Sequence, residues 1–415
     1  MNHSRARVVI TGMGAITPIG NTVDEFWQNL LAGKSGVGPV TLFDTSNYHT
    51  RIAGEVKHFD PTKYVDAKDA RRMGRATLFA LAATRDALND AGLGNSLNEN
   101  TRAGVVLGTG LGGFVEAIKE HHAFAQQGGT GRVSPFLAAV ILPNMSAFYI
   151  AQHFRARGFN STVVTTCAAG TDAIGAATEV IRRGKADVMI AGGTDAIIAD
   201  IIFTAFGAMR ALSTRNDEPT RACRPFDKQR DGLVIGEGAA IVILEKLEHA
   251  LARGAKIYAE VLGYAANSDA FHFVAPDPQA IGATQAMQEA LEDAGVSPDQ
   301  VDYINAHATS TQLNDPSETL AIKNVFGARA YHIPISATKS MVGHSMGAAG
   351  AMEAIACTLT IRDQKIHPTI NYETPDPACD LDYVPNVARD ARVNIVLSNS
   401  FGFGGQNACL VLGKY

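Results

Sequence analysis

The sequence has few of the features that mark membrane, disulfide-rich or nucleic-acid-binding proteins. Its 415 residues include only five cysteines, without a CxxC pair, so neither a disulfide framework nor a zinc cluster is predicted. No apolar run reaches ~18 residues free of charge, which argues against a membrane span. The formal net charge is −5, so no general basic field favours nucleic acid. We expect a cytoplasmic protein without a metal site.

The sequence also lacks a nucleotide-binding loop. VVITGMGAITPIG (8–20) has the wrong glycine spacing for a dinucleotide fingerprint, and Pro18 interrupts it. VVLGTGLGG (105–113) has the wrong last interval, and GxxxxGK[ST] does not occur. We therefore expect no nucleotide cofactor.

Short apolar runs alternate with alanine-rich helical stretches, which predicts an α/β architecture. The apolar runs lack polar alternation, as expected for strands of a sheet that is covered on both faces. Strands are predicted at 7–11, 103–108, 162–166, 188–191, 239–245, 257–263, 301–306, 333–337, 393–398 and 408–412, and helices at 23–32, 75–91, 171–183, 284–294 and 345–362.

Parts of the chain indicate an internal duplication. AAIVILEK and NACLVLGK each end a glycine-bearing run, so that Ala240 aligns with Ala408. The same alignment brings the strand before Cys167 near IPISATKS, which also leads into a small-residue helix. We therefore predict two similar α/β halves, residues 1–255 and 256–415.

VVTTCAAGTDAIGAA (163–177) places a cysteine where a predicted strand gives way to a helix. Free cysteine is often a buried apolar residue, but the positive end of a helix favours thiolate over thiol. The small residues 168–170 would leave room for a substrate beside the sulfur. Cys167 is therefore predicted to be a nucleophile with a lowered pKa, and the other four cysteines to be structural.

Two of the 12 histidines follow predicted strands. His307 lies in NAHATST, and His344 lies in TKSMVGHSMGAAGA, between Lys339 and a small-residue helix. Sites of α/β proteins form at the carboxyl ends of strands, and a cysteine nucleophile often works with histidine. Either histidine alone is typical of a hydrogen-bonded core residue, but together with Cys167 they predict one catalytic site.

Taken together, these motifs resemble those of the β-ketoacyl-[acyl-carrier-protein] synthases. The resemblance rests on TTCAAGTDAIGAA, NAHATST, TKSMVGHSMGAAGA and NSFGFGGQN, in that order, and covers nearly the whole chain. RALSTRND and RPFDKQRDGLVIGEGA point to the elongating enzymes of bacterial type II systems. The resemblance implies the thiolase fold, with two similar halves in five α/β/α/β/α layers, and a homodimer.

The resemblance also implies a decarboxylative condensation and a role for each site residue. Cys167 would hold the acyl chain, and His307 and His344 would donate hydrogen bonds to the enolate formed from malonyl-ACP. Lys339 would hold His307, with Glu353 close by. The remaining implied residues are Phe403 and Phe206 at the oxyanion hole and gate, Thr309 and Thr311 on the phosphopantetheine arm, and Leu111 in the acyl pocket.

Acyl carrier protein (ACP) is acidic, so the resemblance implies a basic entrance on this chain. The family's docking positions hold Lys68, Arg71, Arg72, Arg132 and Arg210. Such a charge run is otherwise typical of a solvated helix face. The substrates would be carried on the phosphopantetheine of ACP, so no separate cofactor is expected.

Four positions depart from the family pattern. Ala308 replaces a usual glycine, Val274 and Ala275 stand where hydroxyl residues are common, and Gln406 replaces a frequent threonine. These departures concern the pantetheine contacts and the substrate preference rather than the catalytic chemistry.

Three alternatives share the fold. A thiolase normally has a second catalytic cysteine near the C-terminus, and Cys409, in a predicted buried strand, fits that role poorly. A chain-length factor would lack Cys167. A ketosynthase of a specialised polyketide-type pathway would have the same chemistry and stays open.

Overall fold

Strands and helices alternate along the chain in the computed structural model, which describes residues 5–129 and 133–415. The strands are β1 (Val8–Ile16), β2 (Val37–Pro39), β3 (Ile52–Gly54), β4 (Ala103–Gly108), β5 (Asn160–Val163), β6 (Val188–Ala196), β7 (Glu237–Lys246), β8 (Ala259–Ser268), β9 (Tyr303–Asn305), β10 (Ile335–Ser336), β11 (Lys365–Ile366), β12 (Arg389–Asp390), β13 (Ile395–Gly402) and β14 (Gln406–Gly413). The helices are α1 (Val23–Leu31), α2 (Ala67–Ala70), α3 (Arg75–Asp90), α4 (Phe114–Gln126), α5 (Leu137–Val140), α6 (Met145–Phe154), α7 (Ala169–Arg182), α8 (Asp200–Ala208), α9 (Leu247–Ala252), α10 (Ile281–Ala294), α11 (Asn314–Phe326), α12 (Lys339–Val342) and α13 (Ala349–Asp363). Within the described ranges, no helix combines the length and the hydropathy needed to cross a bilayer.

Ten strands form one hydrogen-bonded sheet, in the order β10-β9-β13-β14-β8-β1-β7-β6-β4-β5. They are the ten strands that the sequence predicts, with shifted ends. β1 and β6 are buried along their whole lengths, because helices cover both faces of this part of the sheet. The pairs β2-β3 and β11-β12 were not predicted, since strands of two or three residues have too little pattern to detect.

The large sheet consists of two halves that enclose a pair of helices. β1 and β8 join the halves through a short antiparallel contact of two residue pairs. α7 and α13 each contact strands of both halves, whereas α3 packs only on the outer face of one half and α10 on that of the other. The order is therefore helix, half-sheet, helix pair, half-sheet, helix, which confirms the predicted thiolase fold.

The division between the halves follows the chain. β1 and β4–β7 make one half, β8–β10 with β13 and β14 make the other, and the strand order is the same in both. The boundary between residues 255 and 256 falls in the connection from β7 to β8 and remains a prediction.

Small residues allow α7 and α13 to approach closely at their N-terminal ends. A Cβ atom on Gly170 would lie 2.6 Å from the carbonyl oxygen of Gly347, and one on Gly350 would lie 2.0 Å from Thr171 Oγ1. The small residues 168–170 are buried in this contact. These residues therefore serve helix packing, and the prediction that they clear space for a substrate stays a prediction.

Candidate active site

Cys167 lies in a tight turn between β5 and α7. The 3₁₀ turn Thr166–Ala168 leads directly into the helix, and Thr166 has a φ of 50°. Cys167 is 4% exposed, and its Sγ lies 3.7 Å from Met346 Sδ. Thr166 Oγ1 donates a hydrogen bond of 3.1 Å to the carbonyl oxygen of Phe403, which holds this turn against the GFGG segment.

Burial controls the ionisation of the nucleophile. It raises the pKa of the Cys167 thiol to about 11, against the lowering effects of a hydrogen bond from the Phe403 backbone and of the Lys339 charge. The lowered pKa predicted from the helix N-terminus is therefore wrong, because desolvation raises the pKa more than the Phe403 hydrogen bond and the Lys339 charge lower it. Burial raises the pKa of the other four thiols further, so Cys167 remains the most acidic cysteine.

His307 and His344 come from the C-terminal half and face Cys167. Their ring centroids lie 5.4 Å apart, with the ring planes at 85°. Cys167 Sγ and one nitrogen of each ring all lie within 4.8 Å of one another. Of the described residues, this is the one group whose atoms are spaced closely enough to hold a metal ion. The prediction that the protein uses no metal stays a prediction.

Lys339 determines the tautomer of His307. Its Nζ lies 3.3 Å from His307 Nδ1 and donates to Glu353 Oε1 at 2.5 Å, and all three residues are buried. Because an ammonium group only donates, Nδ1 accepts and Nε2 carries the proton. Burial and the Lys339 charge hold the pKa of His307 and of His344 well below the ordinary value, so both rings are neutral.

Glu318 supports His307 and was missed by the sequence reasoning. Its buried carboxylate accepts the backbone N–H groups of His307 and Ala308, both at 2.8 Å, and burial raises its pKa to about 7. Ala308 has a φ of 44°, a left-handed conformation that favours glycine, the usual family residue here. No helix was predicted for the segment that carries Glu318, and a single acidic residue forms no motif. Nothing in the sequence therefore indicated its role.

A cavity of about 430 Å³ opens to the surface and has Cys167, His307 and His344 in its wall. Phe206 and Phe403 also line it, stacked with their ring centroids 5.8 Å apart.

Thr309 and Thr311 lie on the same cavity wall, with their hydroxyl oxygens 3.0 Å apart. Thr311 Oγ1 also accepts the Asn314 N–H at the start of α11. Thr311 therefore binds the first residue of α11 as well as lining the cavity.

Two of the four residues that depart from the family pattern make one side of the cavity apolar. Val274 and Ala275 line it together with Phe273, which is 75% exposed. This loop is bonded to the GFGG segment, since the Gly404 N–H donates to the Phe273 carbonyl oxygen at 2.9 Å. Gln406 pairs with Gly402 beside the same segment.

Leu111 lies outside this cavity. It packs in an apolar cluster with Cys167, Phe206, Met346 and Phe403. Its predicted place in the acyl pocket remains a prediction.

The basic residues predicted to dock ACP lie in two regions. Arg210 is exposed and lines the cavity. Lys68 and Arg71 are exposed on and after α2, and the guanidinium of Arg72 lies 4.9 Å from the ring centroid of Phe136. Arg132 lies outside the described residues.

Comparison with known proteins identifies the family. The N-terminal domain of β-ketoacyl synthases matches residues 5–250, and the C-terminal domain matches residues 258–373. The chain belongs to the β-ketoacyl synthase family. The 3-oxoacyl-[acyl-carrier-protein] synthase 2 of Synechocystis sp. is 50% identical over 415 residues, which cover 100% of this synthase and 99% of the relative.

Two solved ketosynthases are also similar to this β-ketoacyl synthase. The ishigamide ketosynthase/chain length factor has a TM-score of 0.92 and 41% identity, covering 99% of this chain and 100% of its own. A type II polyketide ketosynthase in complex with its ACP, bound to the hexaketide, has a TM-score of 0.89 and 36% identity over the same shares.

Proposed function

We propose that this β-ketoacyl synthase elongates fatty acids by condensing an acyl group held on Cys167 with malonyl-ACP. The observation that carries the proposal is the meeting of Cys167 Sγ with the His307 and His344 rings on a cavity that opens to the surface. Such a site brings a nucleophile and two uncharged hydrogen-bond donors to one reaction centre.

The first half-reaction transfers the acyl group. Cys167 Sγ attacks the carbonyl carbon of acyl-ACP, and the bond from that carbon to the pantetheine sulfur breaks. The thiol proton leaves with the pantetheine. The developing oxyanion accepts the backbone N–H groups of Cys167 and Phe403, which Thr166 Oγ1 keeps in adjacent positions.

The second half-reaction forms the carbon–carbon bond. Malonyl-ACP loses CO₂, and the electron pair of the broken bond forms an enolate whose oxygen accepts hydrogen bonds from His307 and His344. The carbanion attacks the acyl-Cys167 carbonyl, the C–S bond breaks with its electrons on sulfur, β-ketoacyl-ACP leaves, and the Cys167 thiolate takes a proton from water. Lys339 keeps His307 in the donor tautomer. We propose that the reaction needs no cofactor beyond the pantetheine of ACP.

The carrier protein is the partner that this chemistry requires. Thr309 and Thr311 line the cavity with hydroxyl groups suited to the amides of a pantetheine arm. Arg210, exposed at the cavity, supplies positive charge for an acidic carrier. We place the enzyme in the cytoplasm, where such carriers are loaded.

A homodimer is also proposed, formed along β5. β5 is a terminal strand of the sheet, and an edge strand presents unpaired backbone groups to a partner. Phe148, Phe159 and Val164, on or beside this edge, are 43%, 47% and 48% exposed. Light scattering is expected to give the mass of a dimer, and Phe148→Glu is expected to lower it. A monomeric wild type at micromolar concentration would contradict this assembly.

The test of the proposed function is a reconstituted condensation. The protein is mixed with acyl-ACP and malonyl-ACP, and the carrier-bound products are identified by mass spectrometry. We expect a β-ketoacyl-ACP two carbons longer than the primer, and a Cys167-linked acyl group when malonyl-ACP is omitted. If a folded wild-type protein gave neither the longer β-ketoacyl-ACP nor the acyl-Cys167 species, the proposal would be contradicted.

A polyketide-type ketosynthase is the second candidate. Its support is the 41% identity to the ishigamide ketosynthase/chain length factor, together with the apolar Val274 and Ala275 on the cavity wall. Excess malonyl-ACP without a reductase separates the two. The fatty-acid enzyme stops after one condensation, whereas a polyketide enzyme extends its own β-keto product.

A further inference from the structure

Asp195, at the end of β6, is a completely buried carboxylate that the mechanism does not use. It accepts four hydrogen bonds, all from uncharged donors. Thr109 Oγ1 lies at 2.8 Å, the Gly110 N–H at 2.7 Å, the Leu111 N–H at 3.3 Å and the Gly347 N–H at 2.7 Å. A buried carboxylate with this many donors is satisfied only in one arrangement of the segments that supply them.

The donors come from the two segments that border Cys167. Thr109–Leu111 follows β4 in the N-terminal half and carries Leu111 of the apolar cluster. Gly347 belongs to the 3₁₀ turn Met346–Ala348 of the C-terminal half, and Met346 Sδ touches Cys167 Sγ. A Cβ atom on Gly110 would lie 3.3 Å from Met346 Cβ, so Met346 fills the space between the nucleophile and this segment.

The internal duplication relates the turn that Asp195 binds to the turn that carries Cys167. Thr166–Ala168 and Met346–Ala348 are equivalent turns: each precedes a central helix, and each begins with a left-handed residue, with φ 50° at Thr166 and 48° at Met346. Gly347 therefore stands where Cys167 stands in the first turn. The N–H of the first turn is left for the substrate oxyanion, whereas the Gly347 N–H is taken by Asp195.

We propose that Asp195 is a positioning residue of the acyl site, whose carboxylate occupies the anion-binding N–H groups of the second turn and holds Met346 and Leu111 beside Cys167. The inference rests on the proposed function. On this proposal a long acyl chain on Cys167 passes both side chains and depends on their placement. A short acyl group meets Met346 at most and depends on that placement less.

Asp195→Asn tests this role with almost no change in size. The amide offers one accepting oxygen and an NH₂ group that cannot accept, so part of the four-donor set loses its partner. The variant also loosens the turn that holds Met346, whose Sδ lies 3.7 Å from Cys167 Sγ, so the sulfur becomes more accessible to a reagent. We expect kcat/KM for long acyl-ACP to fall about tenfold relative to short acyl-ACP, as misplaced positioning groups produce, and iodoacetamide to alkylate Cys167 faster at the same pH.

Two further variants serve as controls. Asp187→Asn removes a charge at the start of β6, where Asp187 pairs with Arg102 at the surface, and is expected to change neither readout. Thr109→Val keeps the carboxylate but removes one donor, and is expected to give a smaller shift in the same chain-length ratio. Thr109→Val also serves if Asp195→Asn does not fold.

The results distinguish the positioning role of Asp195 from the proposed condensation activity. Equal losses for long and short primers, or an unchanged alkylation rate in folded Asp195→Asn, would overturn the positioning role. Should Asp195→Asn not fold, an unchanged chain-length ratio in Thr109→Val would overturn it. The alkylation readout uses no acyl substrate, so it remains valid even if wild-type protein makes no β-ketoacyl product, a result that would instead contradict the proposed function.

Discussion

The Cys167 turn and the Met346 turn share one backbone form but differ in chemistry. Both are 3₁₀ turns that start in a left-handed conformation and run into the central helices α7 and α13. In the first, the sulfur of Cys167 lies on the open cavity. In the second, Gly347 has no side chain and its N–H is bound by Asp195. The fold thus supplies an anion-binding turn in both halves, and side chains decide which one reacts.

A second difference lies two residues before each turn. His344 stands there in the C-terminal half, and Val164 in the N-terminal half. In the proposed mechanism the two halves therefore divide the work: one supplies the nucleophile, and the other supplies the donors that decarboxylation requires.

Cys167→Ala is expected to lower condensation by about 10³-fold or more, since removal of a covalent nucleophile is among the largest losses an enzyme shows. Cys379→Ala is the matched control, because Cys379 is equally buried but belongs to a different cluster. Rates of β-ketoacyl-ACP formation compare the two variants. A similar loss in both would mean that cysteine packing, rather than the position of Cys167, is responsible.

The pH dependence of alkylation reports the ionisation of the first turn. With the pKa of Cys167 at about 11, the thiolate fraction and the iodoacetamide rate should rise about tenfold per pH unit below pH 10. Peptide mapping should show Cys167 labelled first, because burial raises the pKa of the other thiols further. A rate that is already flat near pH 7 would show that the end of α7 outweighs desolvation.

Leu111→Trp tests whether the acyl chain enters the cluster beside the first turn. A larger side chain in a filled apolar cluster costs about 1–3 kcal/mol, and a long acyl chain would have to displace it. We expect kcat/KM to fall far more for long primers than for short ones. Equal losses across primer lengths would leave Leu111 as a packing residue only.

Arg71→Glu combined with Arg210→Glu is expected to raise KM for acyl-ACP and to weaken its salt dependence, because surface charge steers an acidic partner and salt screens it. Arg72 is left unchanged, since it stacks on Phe136. Short pantetheine thioesters, which lack the carrier, should react as before. Lys185→Glu, an exposed charge beyond the far end of α7, controls for net charge.

The apolar pattern predicted all ten strands of the main sheet but misplaced the ends of all except β4. β1 continues to Ile16 through Gly12 and Gly14, which resembled a loop in the sequence. A Cβ atom on Gly12 would lie 2.2 Å from the carbonyl oxygen of Ala87 on α3, so these glycines permit close packing of a helix on a strand. A local apolar pattern carries no information about contacts between distant segments. The end of β1 was misplaced for this reason.

The site residues that lie in distinctive motifs were predicted, whereas Glu318 and Asp195 were not. Cys167, His307, His344 and Lys339 stand in recognisable runs, and the structure brings them together. Glu318 and Asp195 act by accepting backbone N–H groups from remote segments, so no local spacing marks them. The prediction of a lowered pKa for the Cys167 thiol was wrong for a similar reason, because desolvation depends on the packing of the whole site.

The central claim is the division of labour between the two halves, and His344→Ala tests it most directly. The variant keeps Cys167, the end of α7 and the Phe403 turn, so intact-protein mass spectrometry should still show acyl transfer to Cys167. Loss of one donor to a developing oxyanion costs about 10²–10³-fold, and CO₂ release from malonyl-ACP should fall by that factor. A variant that cannot be acylated yet decarboxylates malonyl-ACP at the wild-type rate would contradict the account, because His344 would then activate the nucleophile.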